Sequence, residues 1–285
     1  MAHIIGGVGT THVPSIGGAI AKGKQTDEYW RPFFDMFPPV RGWLGRSKPD
    51  IAVVIYNDHG LNFFLDKMPT FAVGAAAEYR NADEGWGLPV VRSFAGDPEF
   101  SWHLIESLVA DEFDIVSCQE MLVDHAFVVP MQLLYPDVDP TGAGAGWPVR
   151  VVPISVNTVQ HPIPSAARCY KFGKAIGRAI RSYQQDANVL IMGTGGLSHQ
   201  LEGKRAGFIN KDFDRLCLDR LVDDPAALTG YSSEELVDLA GSQGVELLNW
   251  LVMRGALGEH VSPVSRSYHV PISNTASAVL ALAAA

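Results

Sequence analysis

Cysteine is scarce in this chain: Cys118, Cys169 and Cys217 are the only three, odd in number and far apart. They form neither a disulfide framework nor a paired-cysteine metal knuckle, which points to a reducing, cytoplasmic setting. Basic residues are in deficit, with 22 Lys and Arg against 31 Asp and Glu and a net charge of -9. A nucleic-acid backbone asks for a basic face, so no nucleic-acid partner is expected. Also missing is any apolar run of the roughly 20 residues that a bilayer span requires. The start, Met1-Ala-His-Ile-Ile5, has no basic segment followed by a long apolar one, so neither a signal peptide nor a membrane association is expected. No internal repeat is present, and the one biased tract, the Ala-rich 281–285, is expected to fray.

What remains is an ordinary globular composition, 47% hydrophobic and 19% charged, at a length that suits one large domain over residues 1–285. Ile51-Ala-Val-Val-Ile-Tyr56 is apolar without alternation, as in a strand covered on both faces. Segments 149–155 and 189–192 read the same way. Asp97-Pro98-Glu99 is a helix start, with a capping residue, Pro at the first turn and an early acid, and it opens a helix to about Ala110. Further helices are expected over 165–183 and 244–255, and residues 137–146 form a loop. Strands alternating with helices predict an α/β domain whose central sheet is mostly parallel or mixed and flanked by helices.

Three of the nine histidines stand where a strand should end: His12, His59 and His199. Open α/β sheets gather ligands at the carboxyl ends of their strands. One such His is best read as a satisfied loop contact, whereas three together mark a site. His3, His103, His161 and His260 keep structural readings, and His125 and His269 are intermediate. Glu246 precedes a helix (Leu247, Leu248, Leu251, Val252) that is apolar on more than one side. A capping box with Ser242 would need its acid at 245, which is Val, so the acid calls for a compensating charge that a metal would supply. Asp58 and Asp124 are rival carboxylates, each beside a His and better suited to supporting roles. Two imidazoles and one carboxylate suit Fe(II) oxygen chemistry, but zinc on the same set would make a hydrolase. Ligand types alone leave both open.

The peptides Thr11-His-Val-Pro14, Tyr56-Asn-Asp-His59, Ala82-Asp-Glu-Gly-Trp-Gly87, Val123-Asp-His125, Gly193-Thr-Gly-Gly-Leu-Ser-His-Gln200, Gly244-Val-Glu246 and Tyr268-His-Val-Pro-Ile-Ser-Asn-Thr275 occur in order along nearly the whole chain. Together they resemble the class II extradiol dioxygenases, and within them the catalytic β chains of the protocatechuate 4,5-cleaving type. The resemblance implies Fe(II) on His12, His59 and Glu246, with O2 as co-substrate. It implies His199 as the acid/base that is not a ligand, His125 beside the bound substrate and oxygen, and Asn57 and Ser273 holding the ring carboxylate or a hydroxyl. The implied reaction is extradiol opening of a catecholic aromatic acid in aromatic catabolism, protocatechuate first, with gallate or 3-O-methylgallate as the alternative. The family's β chain works with a small helical α chain over its active site, so an α2β2 assembly is expected, or a homo-oligomer if the chain acts alone.

Overall fold

Every residue of the strand Ile51–Tyr56 is fully buried because both of its faces are covered. Ile51, Val53 and Ile55 belong to one apolar core, and Ala52, Val54 and Tyr56 to another. This period-two division is what a strand between two helical layers requires. The computed structural model describes all residues except Trp86 and Thr141 and leaves the side chain of Pro271 aside. Trp86, in the 82–87 peptide, and Thr141, in the 137–146 loop, therefore lie outside the described residues.

The described strands are β1 (His3–Thr10), β2 (Ile51–Tyr56), β3 (Phe71–Gly74), β4 (Glu78–Asn81), β5 (Phe94–Ala95), β6 (Val116–Cys118), β7 (Leu122–Val123), β8 (Arg150–Val156), β9 (Asn188–Thr194), β10 (Val261–Ile272) and β11 (Thr275–Ala284). Eight of them form one mixed sheet in the order β10-β11-β1-β9-β2-β8-β3-β6. Its centre, β1-β9-β2-β8, is parallel, and the antiparallel pairs lie outside that centre. Strands β5, β4 and β7 form a small separate sheet.

Helices cover both faces. Helices α1 (Pro14–Ala21), α2 (Arg31–Phe34), α3 (Pro38–Ser47) and α5 (His125–Leu134) supply residues to one core. Helices α4 (Pro98–Ala110), α6 (Ala166–Ser182), α7 (Lys211–Asp223), α8 (Ser233–Ala240) and α9 (Leu247–Leu257) supply the other. The chain is thus a single α/β domain of three layers, as its alternating pattern predicts.

The expected cap at Asp97 forms, and Ser165 caps a second helix. Asp97 accepts from Phe100 N–H and Ser165 from Arg168 N–H, each satisfying a donor that a first helical turn leaves free. Packing of α9 on the sheet explains the glycine near the end of β1. A Cβ on Gly9 would fall 2.4 Å from the Trp250 ring, so only glycine admits that side chain.

The Ala-rich end departs from expectation. Residues up to Ala284 do not fray: they complete β11, which lies between β1 and β10, and Ala281 is fully buried opposite Val8. Small side chains suit a strand pressed between two filled layers, a circumstance that composition alone does not reveal.

Candidate active site

Because β1, β9 and β2 are parallel neighbours, their last residues, Thr10, Thr194 and Tyr56, end on one edge of the sheet. His12, His199 and His59 follow shortly after those three ends, and the strand order alone brings them together. Glu246 arrives from the opposite direction, closing a short 3-10 turn (Gly244–Glu246) at the start of α9.

Each histidine is oriented through one ring nitrogen. His59 Nδ1 donates to Asp124 Oδ2 at 3.0 Å, and His199 Nδ1 donates to the Leu197 carbonyl at 2.9 Å. A carboxylate and a carbonyl only accept, so in each ring's neutral form Nδ1 carries the proton and Nε2 is the nitrogen left to react. His12 Nδ1 lies 3.1 Å from Thr194 Oγ1, a hydroxyl that can serve as donor or acceptor. The three Nε2 atoms face one carboxylate: His12 is 3.3 Å from Glu246 Oε2, His59 3.7 Å from Oε1 and His199 3.8 Å from Oε2.

Glu246 is 5% exposed and is held on both sides. Oε2 accepts from Gly196 N–H at 2.9 Å, and Oε1 from Asn57 Nδ2 at 3.2 Å. A Cβ on Gly195, whose φ is +118°, would lie 2.6 Å from the Glu246 Cβ. Glycine at 195 therefore lets the acid reach the strand end. Behind it, Asn249 Nδ2 donates to the Thr194 carbonyl at 2.8 Å and to Asn57 Oδ1 at 3.1 Å. With its oxygen so engaged, Asn57 turns its amino group toward Glu246 and towards His59 Nε2, 3.1 Å away. Asn57 is fully buried and does not line the cavity. It contacts Glu246 and His59 instead, whereas the family resemblance implies a substrate-side role for it.

The electrostatics match this geometry. Burial pushes the Glu246 carboxyl up, but His12, His59 and His199 outweigh it and hold it well below the usual carboxylate range. Burial lowers His12, against the pull of Glu246. For His59 burial is again the largest influence and lowers it, yet Asp124 and Glu246 together raise it to about 10. Asp124, buried but bonded to His59, sits at about 2. It also caps α5 by accepting from Ala126 N–H. Asp58, the other rival, is spent on the turn that follows, accepting from the N–H groups of Leu61, Asn62 and Phe63.

His125 opens α5 with its ring centroid 4.2 Å from that of His59 and 5.5 Å from that of His12. Its Nδ1 donates to Glu84 Oε2 at 2.6 Å. Next to His199, Ser198 Oγ donates to Asp214 Oδ2, and Tyr268 OH donates to the same oxygen, both at 2.7 Å. Two of the motif peptides, 193–200 and 268–275, therefore meet on one buried acid that sequence reading missed. Nothing local marks Asp214 or Asn249, whose partners are remote in the chain, and Glu84 lies in the 82–87 peptide without a role read for it.

His12, His59, His125, His199, Glu246 and Ser273 all line one cavity of about 790 Å³, with Lys22 and Lys24 also in its wall. Ser273 shares a 2.7 Å hydrogen bond with Ser15. The structural histidines His3, His103, His161 and His260, together with His269, do not reach this cavity. The donor set fits a divalent cation: an ionised, buried carboxylate faces imidazole nitrogens whose far sides are already anchored. A second donor set overlaps it, since His12, His59 and His125 bring one ring nitrogen each within 4.8 Å of one another. In that set His125 would compete with Glu246, the member that carries charge.

Residues 6–280 match the family of the catalytic LigB subunit of aromatic ring-opening dioxygenases. The chain belongs to that family. This bears out the resemblance carried by the motifs. Among curated proteins, a gallate dioxygenase of Pseudomonas putida is 43% identical over 201 residues, 70% of this chain and 57% of that protein. A 2,3-dihydroxyphenylpropionate/2,3-dihydroxicinnamic acid 1,2-dioxygenase of Rhodococcus globerulus is 35% identical over 167 residues, 57% of this chain and 48% of that one. The matched region thus spans about half the length of these relatives. A crystal structure of an uncharacterized Escherichia coli K12 protein shares the fold at 13% identity, with a TM-score of 0.56 over 97% of this chain and 99% of that one. Among the described residues no helix is long and apolar enough to cross a membrane.

Proposed function

We propose that this chain is a non-haem Fe(II) extradiol dioxygenase that opens a dihydroxylated aromatic acid, with both atoms of O2 entering the product. The observation that carries this reading is the convergence of His12 Nε2 and His59 Nε2 on Glu246, with His199 Nε2 also turned to that carboxylate. His12, His59 and Glu246 are the proposed iron ligands, two imidazoles and one carboxylate on one side of a cavity. Bound there, Fe(II) would supply open positions at which the diol and O2 meet as an oriented pair.

The protein's own groups do the rest. His199 keeps its Nδ1 proton on the Leu197 carbonyl, so its Nε2 can take a proton from a ring hydroxyl and later return one. His125 lines the same cavity as the second imidazole at the substrate. Ser273, which lines the cavity, would bind the ring carboxylate or a hydroxyl, and Lys22 and Lys24 in the same lining would supply the cations that an aromatic acid needs. Asn57 acts through Glu246 and His59.

Protocatechuate is the proposed ring, with 4,5-cleavage. Gallate or 3-O-methylgallate is the second reading, favoured by the 43% identity to the protein named gallate dioxygenase. The reading extends to a small covering α chain in an α2β2 assembly, or a homo-oligomer, in the cytoplasm. The test is anaerobic reconstitution with Fe(II), followed by O2 uptake and the spectrum of the ring-opened product on protocatechuate and on gallate, with and without a small partner chain. Uptake with either catechol supports the reading and the ratio of the two rates names the ring. No uptake with any catechol, while Zn(II) supports hydrolysis, would overturn it.

A further inference from the structure

Four histidines line the cavity, and the Nδ1 partners of three are Thr194 for His12, Asp124 for His59 and the Leu197 carbonyl for His199. His125 differs, for its partner comes from the surface loop between β4 and β5. Glu84 spends both carboxylate oxygens on this one residue. Oε1 accepts from the His125 backbone N–H and Oε2 from Nδ1, each at 2.6 Å. The Glu84 side chain is only 9% exposed although Asp83 and Gly85 beside it are exposed. Withdrawing a carboxylate from water on a loop is costly unless short, charge-assisted hydrogen bonds offset it, and these two do.

We propose that Glu84 is a positioning residue for His125, fixing Nδ1 as its protonated nitrogen and leaving Nε2 as the atom that meets substrate. This rests on the reading of the cavity as the ring-opening site. A loop tether would need one hydrogen bond to any group on α5. A bidentate acid on both the backbone and the ring prescribes the tautomer and the ring's direction together. The same loop also touches the substrate space. Gly87 and Leu88 line the cavity, and Leu88 packs so closely on α1 that a Cβ on Gly17 would lie 3.1 Å from its Cδ2. Whatever enters the cavity therefore meets the loop that holds His125.

The decisive substitution is Glu84→Gln. The glutamine oxygen must accept from the backbone N–H, which turns its amino group, a donor, onto Nδ1 and drives the ring proton to Nε2. The experiment is 15N-histidine NMR of the full chain without added metal, with the His125 signals assigned by their loss in His125→Asn. The expected result is a protonated Nδ1 in the wild type and an unprotonated Nδ1 in Glu84→Gln. An unprotonated Nδ1 in the wild type, or no change in the variant, overturns the proposal. In the Fe(II)-loaded enzyme kcat should fall by about tenfold or more in Glu84→Gln, the range of an outer partner's loss, while KM and bound iron stay near wild type. Glu84→Asp, which keeps the acceptors, should recover part of kcat and the Nδ1 proton. A switched tautomer with unchanged kcat overturns the positioning role. If the wild type opens no catechol at all, the functional reading falls while the NMR still decides Glu84.

Discussion

The cavity has two walls of different construction. One is built from β1, β9 and α9 and carries His12, His199 and Glu246, each at most 7% exposed and each tied to strand ends or backbone. The other is built from the loops after β2, β4 and β7 and carries His59 and His125, whose partners are the carboxylates Asp124 and Glu84. The His59 side chain is 27% exposed, against 5% for His12. The first wall is fixed by packing: Trp250 fills the space over Gly9 and donates its indole N–H to the Gly195 carbonyl. The second is fixed by charge-assisted hydrogen bonds from loops, which adapt more readily than a close-packed core. A buried acid needs the stiff wall, because desolvation penalises it unless its partners are in place before the cation arrives.

The largest break in this contrast is loss of the acid. Glu246→Ala should reduce bound iron to background and abolish ring opening, as read by metal analysis and O2 uptake. If iron is retained, the carboxylate ligand lies in the other wall, at Asp58 or Asp124, and the assignment of the walls reverses.

His199→Phe tests the same wall without touching the proposed ligands. Bound iron should stay near normal while ring opening falls on the order of 10²–10⁴-fold, the usual worth of a positioned proton-transfer group. Iron loss in this variant would make His199 a ligand instead.

Asp124→Asn addresses the adaptable wall. The amide loses the charge that orients His59, and iron affinity should weaken by about 10–100-fold, as when an outer partner of a ligating histidine is changed. A competition titration with a chelator reads this, and an unchanged affinity would mean that Glu246 and Asn57 alone hold His59.

The residues facing the cavity and those supporting them differed in how far the sequence disclosed them. His12, His59 and His199 were legible because each follows an apolar run that ends in small or polar residues, and adjacent parallel strands bring such ends together. Asp97 was legible as a cap, since a cap and its helix are neighbours in the chain. Glu246 stood out because an acid preceded an apolar helix. Their supports were not legible. Asn249 bonds Asn57 across 192 residues and Tyr268 reaches Asp214 across 54, pairings that tertiary packing alone creates. Asn57 was given a substrate-side role only by the family resemblance, whereas Asn249 draws its side chain toward His59 and Glu246. β11 was obscured by composition, for alanine gives little strand signal until two filled layers are known to enclose it.

The smallest expected effect is a difference in pH dependence of the metal-free protein. Burial works against a charged His59, but Asp124 and Glu246 outweigh it and raise it from 6.5 to about 10. A group raised on folding contributes stability that is fully present below its unfolded value and lost as pH climbs through the folded one. The contribution of these contacts should therefore fade between about 6.5 and about 10. Asp124 itself, lowered to about 2, stays ionised throughout that window and loses its contribution only as pH falls toward that value. Asp124→Asn should then flatten, without abolishing, the fall of Tm on the alkaline side, since Glu246 still faces His59. Thermal melts of both proteins across that window read the slopes. Equal slopes would show that Asp124 does not set the charge of His59, leaving the adaptable wall with no electrostatic device of its own.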